Sequence, residues 1–344
     1  GYMTKGKLEE HIRELNEQVE QKGLNVQKGR GHHKPTEIRE RDKSQELLDR
    51  WNGYEKKLKT LGEGRNSYSK TDPGATFMHM KDDHMRNGQL KPGYNVQFAV
   101  NSEFITGIGV FPDRTDYDTL PGLLEKIAQR HGQKYRRVVA DAGYESLKNY
   151  RYLSEQGIAA YIKPNNYESS RTRKFRAQIG RAENMAYYRP GDYYICKNER
   201  ILSNVGTSTE HSKDGTIRIV TRYRCEDCHS CPYRAQCCKA RDPEQQKELV
   251  VCREFSDFRQ SSLERITAEE GKLLRVNRSI QSEGAFGQLK HNRHFVRFLT
   301  GGNLKVLNEL LFLALSQNIM KYISKCNTGK ADSHLLKPIS LLKF

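Results

Sequence analysis

Hydrophobic positions recur at helical spacing near the start of the chain, where Leu8, Ile12, Leu15 and Val19 fall on one face of an amphipathic helix. A Gly/His/Pro stretch from residue 28 to 35 ends that run, and a second helical run continues to about residue 61. The texture changes after residue 68. Residues 71–78 read as a strand, and residues 94–101 and 104–111 alternate like a hairpin closed by an Asn-Ser-Glu turn. Asp116 is placed to cap a helix over residues 120–130. A short apolar strand at residues 137–141 ends on a carboxylate, followed by a helix over 147–156 and a strand over 158–162. Three strands, helix, strand, helix, strand is the order of an α/β mixed sheet with helical crossovers. From about residue 164 to 256 the pattern is irregular and rich in Tyr and Arg. Helical spacing returns over 263–277, 281–290 and 304–323, the last expected to be a core helix through Leu307, Leu310, Leu311, Ala314, Leu315 and Ile319.

Charge changes the picture more than length does. The 344 residues suit two or three domains. A formal charge of +17 favours a polyanionic partner, most simply nucleic acid. Mean hydropathy is −0.85, and no apolar run approaches the ~18 residues of a membrane helix, which argues against an integral membrane protein. The charged start carries no secretory pattern, so the cytoplasm is the expected location. The N-terminal helices are expected to be the end of a domain that begins upstream. No Gly-rich phosphate loop is present, and no nucleotide cofactor is expected.

Five of the eight cysteines fall within residues 225–238. Cys225, Cys228, Cys231 and Cys237, with Cys238 adjacent and Cys196 upstream, have the paired spacing that suits tetrahedral Zn²⁺, and Cys196 can replace one of the four. Tyr187-Tyr188-Arg189, Tyr193-Tyr194 and Arg222-Tyr223-Arg224 suit base stacking with phosphate contact, and equally ordinary strand packing. His32-His33 reads as a linker feature. Three carboxylates stand out by context: Asp72 in Thr-Asp-Pro-Gly, Asp141 at the strand end before Ala-Gly-Tyr, and Glu283 on a helical run. Asp82 and Asp83 are the alternatives to Asp72. Each carboxylate also has a plain structural role open to it, as turn, cap or solvated helix residue.

Taken together, these stretches resemble the DDE transposases of bacterial insertion sequences, in the group with a Cys-rich insertion between the second Asp and the Glu. The resemblance lies in Thr71-Asp72-Pro73, Pro92-Gly93-Tyr94-Asn95-Val96-Gln97-Phe98-Ala99-Val100, Val139-Ala140-Asp141-Ala142-Gly143-Tyr144, and the run from Asn277 through Glu283 and Gly287 to Lys290. It spans about residues 70–322. Against the wider Tyr-x2-Arg-x3-Glu-x6-Lys signature, the Glu283–Lys290 half fits, while Arg278 lies one residue too far from the Glu and Arg275 stands at the Tyr position.

The resemblance implies a ribonuclease-H-like mixed sheet with flanking helices, interrupted by an irregular zinc-binding insertion. It also implies that Asp72, Asp141 and Glu283 hold two Mg²⁺ ions, with Mn²⁺ as a substitute, for DNA strand cleavage and strand transfer. Lys290, Arg278, Arg293 and Arg297 would contact DNA. The partners implied are double-stranded DNA and a second protomer. Rival readings are a two-metal nuclease without strand transfer and a catalytically decayed DNA-binding remnant. The expected organisation is a helical segment (1–68), a first core part (69–164), the Cys-rich insertion (165–256), a second core part bearing Glu283 (257–325) and a basic tail (326–344). The charge follows this division: residues 163–241 hold 16 Lys and Arg against 8 Asp and Glu, and residues 272–305 hold 7 against one.

Overall fold

The computed structural model describes residues 3–25, 33–62, 64–80, 85–132, 134–212, 215–240, 242, 244–292, 295 and 297–331. Helices α1 (Lys5–Gln21) and α2 (Thr36–Leu61) form an antiparallel pair. Leu8, Ile12 and Leu15 of α1 are buried together with Ile38 of α2, and Lys5 pairs with Glu55 at 2.7 Å. The Thr4 hydroxyl opens α1 by accepting from the Lys7 amide.

Strands β1 (Thr76–His79) and β2 (Leu90–Gly93) pair antiparallel, as do β3 (Asn95–Asn101) and β4 (Phe104–Phe111). Helix α3 (Thr119–His131) follows, then β5 (Arg137–Ala140), α4 (Leu147–Glu155) and β6 (Ala159–Ile162), with β5 and β6 parallel across the α4 crossover. The predicted strands and crossovers are therefore present, but ladder bonds among the described residues do not join them into one mixed sheet. They form separate two-stranded ladders. The run at 71–78 is shortened to β1, which pairs with the unanticipated β2 rather than with the β3–β4 hairpin. The mixed α/β composition is as expected, while the ribonuclease-H-like sheet is not established by these pairings.

After the short helices α5 (Tyr167–Ser170) and α6 (Arg173–Arg176), the insertion departs furthest from expectation. It is an ordered antiparallel sheet, in the order β11-β10-β9-β8-β7, of β7 (Ala186–Tyr188), β8 (Tyr193–Ile195), β9 (Ile201–His211), β10 (Ile217–Cys225) and β11 (Glu248–Val251). The one-turn helix α7 (Arg234–Cys237) lies between β10 and β11. Tyr194, Leu202, Tyr223, Leu249 and Val251 give the sheet its own core. Its exposed positions mix Arg222, Arg224, Ser203 and Asn204 with apolar Val205, Ile217, Ile219 and Val250, so no clean alternation shows in the sequence.

Helix α8 (Arg253–Thr267) and helix α9 (Glu269–Arg278) replace the single predicted helix, with a break at Ala268, whose ψ of 160° is extended. Gly271 sits where an added Cβ would fall 1.9 Å from the Arg265 carbonyl oxygen, so this close turn requires glycine. The Glu-bearing run is not a plain α-helix. It is a π-helical turn at Ser279–Glu283, one α turn, α10 (Gly284–Gly287), and a second π-helical turn at Gln288–Asn292. Finally α11 (Asn303–Asn327) buries Val306, Leu310 and Ala314 against β4, while Leu311, Leu315 and Ile319 remain exposed, so only one face of the expected core helix is core. No helix of the described residues is long and apolar enough to cross a membrane.

Candidate active site

Strand β5 delivers Asp141 at its C-terminal end, where strand termini hold side chains rigidly beside loops. Asp141 Oδ1 accepts from the Gly143 amide at 3.0 Å, and its Oδ2 accepts from Arg278 Nη2 at 2.8 Å. Arg278 closes α9, and the π-helical turn that follows it ends at Glu283, so the ion pair links the strand carboxylate to the Glu-bearing segment. That segment is fixed by Ala285, which is buried, and by Phe286, which stacks on Phe98 of β3 with ring centroids 4.6 Å apart. Glu283 itself is exposed and accepts from the Ser279 hydroxyl at 3.0 Å. Lys290 and Arg297 are exposed, and Arg293 lies outside the described residues. π-Helical turns inside helices recur at functional sites, and two bracket Gly284–Gly287 here.

Asp116 belongs beside Asp141. The residue expected to cap a helix instead opens a 3₁₀ turn (Asp116–Asp118), and its side chain is engaged by β3. Its Oδ1 accepts from Asn95 Nδ2 at 2.9 Å and from Gln97 Nε2 at 2.8 Å. Its Oδ2 lies toward Asp141: a Cβ added to Gly143 would sit 3.1 Å from Asp141 Oδ1 and 3.2 Å from Asp116 Oδ2. The Tyr144 hydroxyl is pushed well above the usual phenol range, by burial first and then by the Asp116 and Asp141 carboxylates. The sequence signal that could have found Asp116 is the pair of amides two apart on β3, Asn95 and Gln97, which point to one side of the strand.

Asp72 is tied to the start of α11. Its Oδ1 accepts from the Gly74 amide at 3.2 Å and the Gly302 amide at 3.0 Å, and its Oδ2 accepts from the Tyr94 hydroxyl at 2.5 Å. Gly302 precedes α11, so Asp72 caps that helix from a distant part of the chain, at its positive end. Tyr94 is pushed up to about 12, by burial and then by its hydrogen bond to Asp72, and remains a donor at neutral pH. Asp82 and Asp83 lie outside the described residues. Among the described residues, no three His, Cys, Asp or Glu side chains form a group able to hold a metal ion, so Asp72, Asp141 and Glu283 are not brought together as one such group.

The cysteines do converge. Cys196, Cys225, Cys228, Cys231, Cys237 and Cys238 line one pocket with Arg200 and Lys247. Cys225 and Cys228 are buried, and the Lys247 amide donates to Cys228 Sγ at 3.2 Å. Burial, followed by Cys228 and Cys196 nearby, pushes the Cys225 thiol up to about 12. The donor chemistry is that of a zinc knuckle, while the thiol positions do not close into a ligand set. Of the interleaved aromatics, Tyr187, Tyr194 and Tyr223 pack on one another inside the sheet, with ring centroids 4.8–6.4 Å apart, and Tyr188 and Tyr193 form a further pair. Strand packing accounts for them.

Residues 195–323 match the family model described as a transposase DDE domain. The matched segment holds Glu283, Lys290 and the clustered cysteines, and Asp72 and Asp141 precede it. No curated protein and no solved structure matches the chain. The family match supports the resemblance to DDE insertion-sequence transposases that the sequence motifs carry.

Proposed function

We propose that the chain is the catalytic region of an insertion-sequence transposase that cleaves DNA strands at element ends and joins them to target DNA. The Asp141–Arg278 ion pair carries this reading, because it ties the second carboxylate of the family pattern to the segment bearing the third. Carboxylate oxygens are the hard donors that suit Mg²⁺, and Asp141 and Asp116 offer them on neighbouring loops. A bound divalent cation would supply Lewis-acid stabilisation at the scissile phosphate. Asp72, Asp141 and Glu283 are the residues assigned to hold it. Asp72 fits that task least well, since it accepts from the Gly74 amide, the Tyr94 hydroxyl and the Gly302 amide, the last at the start of α11.

The chain's own residues do the rest. Gly143 and Arg278 fix the orientation of the Asp141 carboxylate, and the two π-helical turns carry Glu283 and Lys290 to the surface. Lys290, Arg278, Arg293 and Arg297 supply positive charge for phosphates along the same segment. In the insertion, four of the pocket cysteines are assigned to a structural Zn²⁺, Cys225, Cys228, Cys231 and Cys237 with Cys196 as the exchangeable member. Double-stranded DNA, a second protomer and a cytoplasmic setting belong to this reading.

The test is cleavage of labelled end DNA in Mg²⁺. Asp141→Ala and Glu283→Ala are expected to abolish cleavage while leaving the circular-dichroism spectrum intact, and full activity in either variant would sink the assignment. Asp72→Asn keeps an oxygen to accept from Gly74 and Gly302. An active Asp72→Asn protein would therefore mark Asp72 as structural. Strand-transfer products with target DNA separate a transposase from a nuclease, and zinc well below one equivalent in protein purified without chelator would exclude the knuckle.

A further inference from the structure

The segment between β6 and the five-stranded sheet carries Arg171, Arg173, Lys174, Arg176 and Arg181, all exposed. Phe175 alone among them is buried and pins the loop, whose one-turn helix α6 is capped by the Thr172 hydroxyl accepting from the Phe175 amide at 3.2 Å. Asn184 closes the loop from the other side, donating to the Phe175 carbonyl at 2.7 Å. The cations around Phe175 are thus displayed on an ordered backbone. Their charge is left open. On the adjoining sheet Arg200, Arg218, Arg222 and Arg224 each pair with a carboxylate, whereas Arg173, Lys174, Arg176 and Arg181 have no such pair among the described residues.

The loop also connects to the candidate active site. Three cations face the single Tyr167 ring: Arg171 at 5.4 Å, Lys163 at 5.6 Å and Arg275 at 4.9 Å from its centroid. Lys163 is held by Glu168 at 2.7 Å, and Arg275 donates to the Tyr167 hydroxyl at 3.3 Å. Arg275 is on α9, three residues before Arg278, and so on the same helix face as the arginine that touches Asp141. A line of positive charge therefore runs from the α6 loop, around Tyr167 and along α9, to the carboxylate at the end of β5. Like charges gathered in this way repel unless a polyanion lies across them.

We propose that this line is a track for the phosphate backbone of the DNA flanking the reacting bond. The proposal rests on the transposase reading and adds the place where the flank lies. Four-residue α6 is too short to enter a groove and read bases, so the contact is to phosphates and is independent of sequence.

The experiment compares two triple variants of the full chain with equal loss of charge. One is Arg173→Gln/Lys174→Gln/Arg176→Gln on the track. The other is Arg218→Gln/Arg222→Gln/Arg224→Gln on the carboxylate-paired sheet. Fluorescence anisotropy measures binding of two unrelated duplexes between about 50 and 200 mM salt without divalent metal. Each lost phosphate contact lowers the slope of log K against log salt by about 0.9, so the track variant is expected to lose roughly 2–3 in slope on both duplexes. The sheet variant is expected to change by less than about 1. Equal loss in both variants, or no loss in the track variant, overturns the track while DNA binding stands. A wild-type chain that binds neither duplex overturns the track and the DNA-handling reading together.

Discussion

Glu145 lies four residues past Asp141 and is 1 % exposed. Its carboxylate accepts from Arg259 Nε at 2.7 Å and Nη2 at 3.0 Å, and from the Asn165 amide at 2.7 Å. A buried ion pair broken on one side leaves an uncompensated charge, so Glu145→Ala is expected to cost about 3–5 kcal/mol, with Glu145→Gln costing less. The urea midpoint measures it, and an unchanged midpoint would remove Glu145 from the framework. Asp192 has the same logic in water's reach: it accepts from the Tyr223 hydroxyl at 2.6 Å, the Tyr187 hydroxyl at 2.8 Å and Asn204 at 2.7 Å. The Tyr223 bond first, then the others, hold its carboxyl below the usual carboxylate range. A depressed folded-state value adds stability that is full above the unfolded value near 3.8 and is lost as pH falls through the folded value. Acid unfolding of the insertion is expected to be less steep below about pH 4 in Asp192→Asn than in the wild type. An identical acid limb would show that Asp192 does not titrate with the sheet. Asp141 was legible because an apolar strand ends on it. Glu145 was not, because its partner stands 114 residues away, and Asp72 looked like a turn residue because the Gly302 amide that it holds is 230 residues distant.

At the scale of elements, long-range side chains do the work that sequence periodicity does not reveal. The β3–β4 turn places Ser102 and Glu103 at φ of 51° and 74°, the left-handed pair of a tight hairpin usually filled by Asn-Gly. Glu103 is held there by Lys321 and Lys325 of α11, each at 2.9 Å, and Asn318 bonds both the amide and the carbonyl of Ile105 at 2.9 Å. Helix and hairpin were each readable from spacing, but their docking was not, since it depends on the polar side chains of Asn318, Lys321 and Lys325. The outer edge of β6 is satisfied in a similar way. The buried Ser262 hydroxyl of α8 accepts from the Ile162 amide and donates to the Ile162 carbonyl, both at 2.9 Å, so a helix residue stands where another strand would pair. Ser262→Ala removes both bonds without adding atoms to the buried site. It is expected to cost about 1–3 kcal/mol, read as a lower thermal midpoint. A midpoint equal to wild type would mean that β6 finds another partner.

For the molecule as a whole, the insertion sits between β6 and α8, and its sheet leans on both halves of the core that it separates. Arg253, the first residue of α8, is the main joint. Its guanidinium lies 3.6 Å from the Tyr187 ring centroid, and its Nη1 donates to the Tyr194 hydroxyl at 2.8 Å. Arg151 of α4 adds a bond to the Ile217 carbonyl at 2.7 Å while pairing with Glu254 of α8. The sheet and the β5–β6 core nonetheless have separate apolar clusters, one built on Tyr194, Leu202 and Tyr223, the other on Leu153, Ala160 and Ile162. Separate cores joined by a few polar contacts behave as units that can open independently. Arg253→Ala removes a cation–π contact and a hydrogen bond worth together about 1–3 kcal/mol. It is expected to raise amide hydrogen exchange in β7, β8 and β9 while exchange in β5 and β6 stays at the wild-type rate. Equal acceleration in all five strands would make insertion and core one cooperative unit. In that case a DNA backbone lying on the α6 loop would stiffen the Asp141 site directly, rather than only through Tyr167 and α9.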